Sequence, residues 1–222
     1  MVIERSDSNI QVNFNGKSIK SQDEIEILGT IFDKRMTFKS HIESLARKAS
    51  QKIASLRRIS WLLDGKGKEL LYKAQIRSSL EYSCLSWGGA NNKYLSILDK
   101  VQERARKIIE DRTPHHIGNL DSLQHRRDVA GLTTMFRIQR QEVAHMQAMR
   151  LPGRRAVRTT RTVEQAPAAL EEPRCFTAHY QRQFPSRYTK LWNKLMCNIK
   201  IEAYSLQSFK CKVNTWLKNN VI

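Results

Sequence analysis

From Thr37 onward the apolar residues stop alternating and recur every three or four positions, as Phe38, Ile42, Leu45, Ala49, Ile53 and Leu56. At about 100° per residue these six share one face of a helix, and Thr37 is a suitable N-cap for it. Arg47 and Arg58 fall almost opposite that face, with Lys39, Lys48 and Arg57 on its flanks. Upstream the pattern has period two. Ile10, Val12 and Phe14 alternate with polar neighbours, and Asn15-Gly16 is a tight-turn dipeptide, both residues tolerating positive φ. Ile19 then continues a second strand. Ile25, Ile27 and the run Leu28 to Phe32 predict one further strand, in which Gly29 admits a bulge or a close backbone approach.

Further helices follow. Asp64-Gly65-Lys66-Gly67 breaks the first, and Leu70, Leu71, Ala74 and Ile76 predict a second that reaches toward Leu80. After a loop at Trp87-Gly88-Gly89, a third carries Leu95, Leu98, Val101, Ala105 and Ile108 on one face. A fourth is expected from about Ser122 to Met149, weakened by Gly131 and Thr133-Thr134. Pro152, Gly153, Pro167 and Pro173 interrupt an Arg-rich stretch with little apolar pattern, which predicts a linker over 150–174. Beyond it Leu191, Trp192 and Leu195, then Leu206, Phe209, Val213, Trp216 and Leu217, predict a small helical pair. The expected fold is mainly α. It has a short N-terminal β segment over 1–33, a helical bundle over 34–149, the linker, and a small C-terminal helical segment over 175–222.

Charge narrows the partners. Thirty-nine Lys and Arg against 21 Asp and Glu leave a net charge of +18, which concentrates polyanions near the surface. Nucleic acid is the leading partner on this count, and an anionic membrane surface the second. The excess sits in two blocks, 34–62 and 175–222, each with eight basic residues and one acid. In the first, Lys34, Arg35, Lys39, Arg47, Lys48, Lys52, Arg57 and Arg58 face only Glu43, a ratio unusual for mere solvation. Lys39, Arg47, Lys48, Lys52, Arg57 and Arg58 are therefore the candidate phosphate contacts. Of the second block, Arg182, Arg187, Lys190, Lys194, Lys200, Lys210 and Lys212 are weaker candidates.

Catalytic chemistry has little to stand on. Two-metal catalysis of nucleotidyl transfer needs paired carboxylates, and none of the eight aspartates adjoins another. Asp33 and Asp64 sit at element ends, where capping accounts for them. Cys175 and His179, with Cys197 and Cys211, match no finger or knuckle spacing, so free thiols packed in a core are expected. There is no Cys-x-x-Cys pair, no secretory apolar run at the N-terminus and no run of roughly 18 apolar residues. A soluble, intracellular protein with reduced thiols is expected, with nucleus and cytoplasm both open.

Several segments carry a family likeness. Ile27-Leu28-Gly29-Thr30-Ile31-Phe32-Asp33, followed by Phe38 and His41-Ile42, resembles the strand after the palm in non-LTR reverse transcriptases. Leu71-Tyr72-Lys73-Ala74, Leu80-Glu81-Tyr82-Ser83, Trp87-Gly88 and Leu98 to Arg106 resemble blocks of the thumb, extended by Leu123 and Arg126-Arg127. Leu191 to Leu195, Ser208-Phe209-Lys210 and Trp216-Leu217 resemble the closing segment of jockey-like retrotransposon proteins. The likeness covers about residues 10–218 and is weakest over the Arg-rich stretch.

The resemblance implies that 10–33 end a palm and that the helices after Thr37 form a thumb, the part that holds an RNA–DNA duplex. It also implies an RNA-directed DNA polymerase that uses divalent magnesium in its full-length form. The family's Phe-x-Asp-Asp box lies upstream of the Leu-Gly strand and has no counterpart here. No catalytic or metal-binding residue is carried over, and the chain alone is expected to be an inactive fragment. Two other expectations stand beside duplex binding. One is a coopted helical scaffold that takes a protein partner on the apolar face a palm would cover, and the other is a remnant of a decayed element.

Overall fold

The computed structural model describes residues 11–111, 120–154, 168–199 and 205–220. Ile10, Lys200, His115, His116 and most of the Arg-rich stretch lie outside them. The chain divides into two compact units, Met1–Leu120 and Asp121–Ile222, a division that falls inside the stretch 34–149. The described elements are mainly helical, with two small antiparallel strand pairs near the N-terminus.

In the first unit β1 (Gln11–Phe14) pairs with β2 (Lys17–Lys20), Phe14 opposite Lys17. Asn15 and Gly16 between them have φ of 47° and 75°, the double left-handed turn that suits the strands' twist. The one strand expected over Ile25 to Phe32 is instead a second hairpin. β3 (Glu24–Ile27) turns at Leu28-Gly29 into β4 (Thr30–Asp33), with Ile27 opposite Thr30. Leu28 has φ 48° and Gly29 77°. A leucine rarely takes that conformation, so its side chain hides the turn from a reading by residue type. The Tyr82 hydroxyl donates to the Leu28 carbonyl at 3.0 Å and braces the turn.

α1 (Lys39–Ile59) follows β4 and packs on it and on α5 (Asn92–Glu110). Phe38, Ile42, Ala49, Ile53 and Leu56 are buried as the spacing requires; Leu45 is only half-buried, and Ala46 and His41 complete the stripe. On α5 the stripe is Leu95, Leu98, Val101, Ala105 and Ile109, with Ile108 at its margin.

Between them α2 (Gly65–Leu71) is capped by Asp64, whose carboxylate accepts from the Gly67 N–H at 2.7 Å. It continues through a π-helical stretch, Tyr72–Arg77, into α3 (Ser78–Glu81). Here the expected apolar face holds only in part: Ile76 and Leu80 are buried and Leu71 is half-buried, but two of its positions turn outward. Leu70 is 68% exposed and Ala74 is exposed, while Lys68, Tyr72, Ile76 and Leu80 are buried. A constant step of four outruns the 3.6-residue α turn, and the wider π winding keeps these residues on one side. α4 (Cys84–Trp87) ends on Trp87, which is wholly buried and donates from Nε1 to the Tyr82 carbonyl at 3.0 Å.

The second unit is built on α6 (Leu123–Gln139), capped by the Ser122 hydroxyl, which accepts from the His125 N–H at 3.1 Å. α6 stops ten residues short of the expected Met149. Gln139 to Glu142 offer no apolar position to continue the stripe, Gln141 turns left-handed at φ 59°, and a 3-10 helix over Ala144–Met149 follows. Against α6 pack α8 (Phe184–Met196), preceded by the short α7 (Ala178–Arg182), and α9 (Leu206–Asn220). Phe136 stacks on Phe209 with centroids 4.2 Å apart, and Trp192 lies 5.9 Å from Phe209.

The ends of the stretch read as a linker are fastened to this core. Gly153 bridges Leu170, and Asn193 of α8 accepts from the Leu170 N–H at 2.8 Å and donates to its carbonyl at 3.0 Å. Trp192 donates to the Ala168 carbonyl at 2.9 Å, and Ala169 and Leu170 are buried.

Candidate nucleic-acid interface

The candidate surface rests on α1, so the start of α1 fixes its direction. Phe38, the residue before the helix, has φ 58° and is 1% exposed. A left-handed phenylalanine costs roughly 1–2 kcal/mol, and the chain offsets this with Asp33. One oxygen of that carboxylate accepts from the Phe38 N–H at 2.6 Å, and the other from the Thr37 N–H and hydroxyl, both at 3.0 Å. The expected Thr37 cap is thus displaced: Asp33, at the end of β4, holds the first turn from outside the helix. Burial opposes ionisation of Asp33, but the bonds from Thr37 and Phe38 outweigh it and hold its pKa below the ordinary value.

His41, one turn in, is 2% exposed, lies 5.8 Å from the Trp87 ring, and accepts at Nδ1 from the Ile31 N–H at 3.3 Å. Burial lowers its pKa and Lys48 adds to that, against an opposing pull from Glu26. A neutral ring, protonated at Nε2, ties α1 to β4.

All six candidate bases are exposed, but they do not share one surface. At about 100° per residue they spread over roughly 220° of the circumference of α1. Arg47 and Arg58 occupy the pole farthest from the core, about 16 Å apart along the axis, a span that reaches separate phosphates. Lys48 lies about 80° round the axis from Arg58, on the flank toward α3. Lys52 lies further round, where its ammonium donates to the Gln75 carbonyl at 2.9 Å and to the Ser79 hydroxyl. It satisfies an oxygen of the π stretch. Lys39 and Arg57 lie on the opposite flank, the side of Ser50, which accepts from Arg104 of α5 at 3.0 Å. Lys39 is 3.9 Å from Glu43, both half exposed, a pair too weak to withhold it from an anion. Lys34 pairs with Asp23 at 3.2 Å.

The structure therefore brings Arg47 and Arg58 together at the pole and sets Lys48 and Lys52 on one flank and Lys39 and Arg57 on the other. In the second block Arg187 is held by the buried Asp128 at 2.9 Å; burial disfavours its charge, and Asp128 more than restores it, raising the pKa. Lys190, Lys194, Lys210 and Lys212 are exposed.

No group of three His, Cys, Asp or Glu side chains among the described residues is placed to hold a metal ion. Asp33 and Asp64 are engaged as caps. The thiols are free but not all in a core. Cys84 is buried and Cys175 donates to the Pro173 carbonyl, while Cys197 and Cys211 are exposed. Among the described residues no helix is long and apolar enough to cross a membrane.

No protein-family model, curated protein or solved structure matches this chain.

A second basic feature escaped the sequence reading. α1 and α5 enclose a groove of about 790 Å³ whose lining includes Arg57, Trp61, Lys68, Arg104 and Lys107. Near the end of α5 Arg104 and Lys107 follow at a step of three and so share a face, but the flanking Glu103 and Glu110 dilute the signal. Trp61 lies in the 3-10 turn Ser60–Leu62 that ends α1 and is 72% exposed. Only the length of α1 could have brought it to the groove.

Proposed function

We propose that this chain is the thumb-like C-terminal portion of a jockey-like non-LTR reverse transcriptase, and that its own capacity is to grip an RNA–DNA duplex by its phosphates. The carrying observation is the outward face of α1, where Arg47, Lys48 and Arg58 stand exposed with no described carboxylate partner. Each phosphate such a side chain neutralises releases counterions, so affinity falls steeply with salt and depends little on sequence. No aspartate of the chain adjoins another, and no residue is assigned to a polymerisation step. The test is binding of a labelled RNA–DNA hybrid at two salt concentrations, beside Arg47→Ala/Lys48→Ala/Arg58→Ala. Salt-sensitive binding that the triple variant loses supports the reading. Equal weak binding by both proteins would remove it.

One observation favours the scaffold reading as a second possibility. Phe14, Ile25, Ile27 and Leu28 on the two hairpins are 65%, 37%, 49% and 85% exposed, an apolar surface of the kind a palm or another protein covers. Self-association that is indifferent to salt and abolished by Ile27→Lys/Leu28→Lys would support it.

A further inference from the structure

Exposed tryptophan is costly unless something covers it, and Trp61 is not alone. Its chain neighbours Ile59 and Leu62 are 42% and 63% exposed. Beside this apolar knob lies the α1–α5 groove, lined by four basic side chains, Arg57, Lys68, Arg104 and Lys107, against one acid, Asp111. Lys68 is 2% exposed, and its ammonium donates to the Asp111 carbonyl at 2.7 Å. Arg104 is steadied by Ser50, while Arg57 and Lys107 pair with no carboxylate among the described residues. An aromatic plane at the end of a basic channel has a defined complement. Phosphates follow the channel, and a base lies on the ring.

We propose that the groove between α1 and α5 takes a single-stranded nucleic-acid segment, its phosphates on Arg57, Arg104 and Lys107 and one base stacked on Trp61. This rests on the nucleic-acid reading above and extends it from duplex to strand. A duplex keeps its base faces stacked inside and has none to offer the indole, whereas a single strand or a frayed end does. The volume also suits a short segment, being within the roughly 300–1,000 Å³ of ordinary ligand sites. The two surfaces use different side chains: the pole of α1 for a duplex, the groove for a strand. A template leaving a duplex on the pole could enter the groove without unbinding.

The experiment titrates the full chain with 12-nucleotide oligo-uridine, oligo-thymidine and an RNA–DNA hybrid, following tryptophan fluorescence and anisotropy. Of the four tryptophans, Trp87 and Trp192 are buried and Trp216 half-buried, so Trp61 dominates quenching by a stacked base. Single strands are expected to quench. Trp61→Ala weakens them about tenfold and leaves the hybrid within about twofold, Trp61→Phe restores most of the affinity, and Arg104→Gln/Lys107→Gln weakens single strands selectively.

If those variants bind single strands like the parent while Arg47→Ala/Arg58→Ala loses the hybrid, the groove is refuted and the duplex reading stands. If the parent binds no nucleic acid at low salt, both fall. If Trp61→Ala changes only the sedimentation coefficient, the knob is a protein contact and the groove proposal is overturned. Unchanged circular dichroism melts show that each variant is folded.

Discussion

Gly131 shows at the scale of one residue how a weak sequence signal inverts on folding. A glycine in mid-helix lowers helical propensity by about 1 kcal/mol relative to alanine, and on that ground it argued against α6. In the structure a Cβ on Gly131 would come within 2.2 Å of the Tyr188 ring. That ring is buried, and its hydroxyl donates to the Arg127 carbonyl at 3.0 Å, so it has nowhere to retreat. Gly131→Ala should therefore destabilise the second unit by about 1 kcal/mol, the overpacking penalty of roughly 2 kcal/mol less the propensity gain of about 1 kcal/mol. A thermal melt decides it, and a raised Tm would mean that the ring does not lie on the glycine. The partner of Gly131 is 57 residues away in sequence, so no local pattern could have revealed it. Leu28 failed for a related reason: its left-handed turn is held by Tyr82, a contact made only after α3 has packed.

The first helix is the element where sequence and structure agree most closely, and its end is where they part. Periodicity located α1 because its buried stripe is continuous, and a stripe needs no knowledge of neighbours. Its cap depended on Asp33, which belongs to the preceding strand, and its tie to β4 on His41, which belongs to the stripe but is polar. Both make the strand–helix joint sensitive to acid. The folded pKa of His41 is lowered, so an unfolded chain takes up the proton first. The stability His41 contributes is complete above about pH 6.5 and diminishes as pH falls from there through the lowered folded value. Asp33 acts in the same sense further down: its contribution is present above the ordinary carboxylate value and is lost as pH falls through the lowered one. Denaturant melts from pH 7 to 5 should show a decline that His41→Leu flattens, although that variant starts less stable because it gives up the bond from Ile31. Asp33→Ala should cost about 1–2 kcal/mol at neutral pH. An unchanged melt would mean that the left-handed Phe38 holds α1 without it.

Across the whole molecule, composition announced a polyanion partner but could not say which charges are available, because availability is a tertiary property. Of +18, part is committed inside the units: Arg187 to Asp128, Lys218 to Asp121 at 3.0 Å, and Lys52 to the π stretch. Basic residues that looked equivalent in sequence should therefore separate into two experimental classes. Replacing Arg47, Lys48 and Arg58 one at a time should each lower the slope of log affinity against log salt by about one for a duplex, with little change in melting. Arg187→Gln should leave that slope unchanged and cost roughly 3 kcal/mol of stability, since it strands a carboxylate that is 3% exposed. Should Arg187→Gln instead lower the slope while the melt stays put, the ion pair would be incidental and the second basic block would join the binding surface. The salt slope counts phosphates and the melt counts core, so the pair of measurements assigns each arginine to one role or the other.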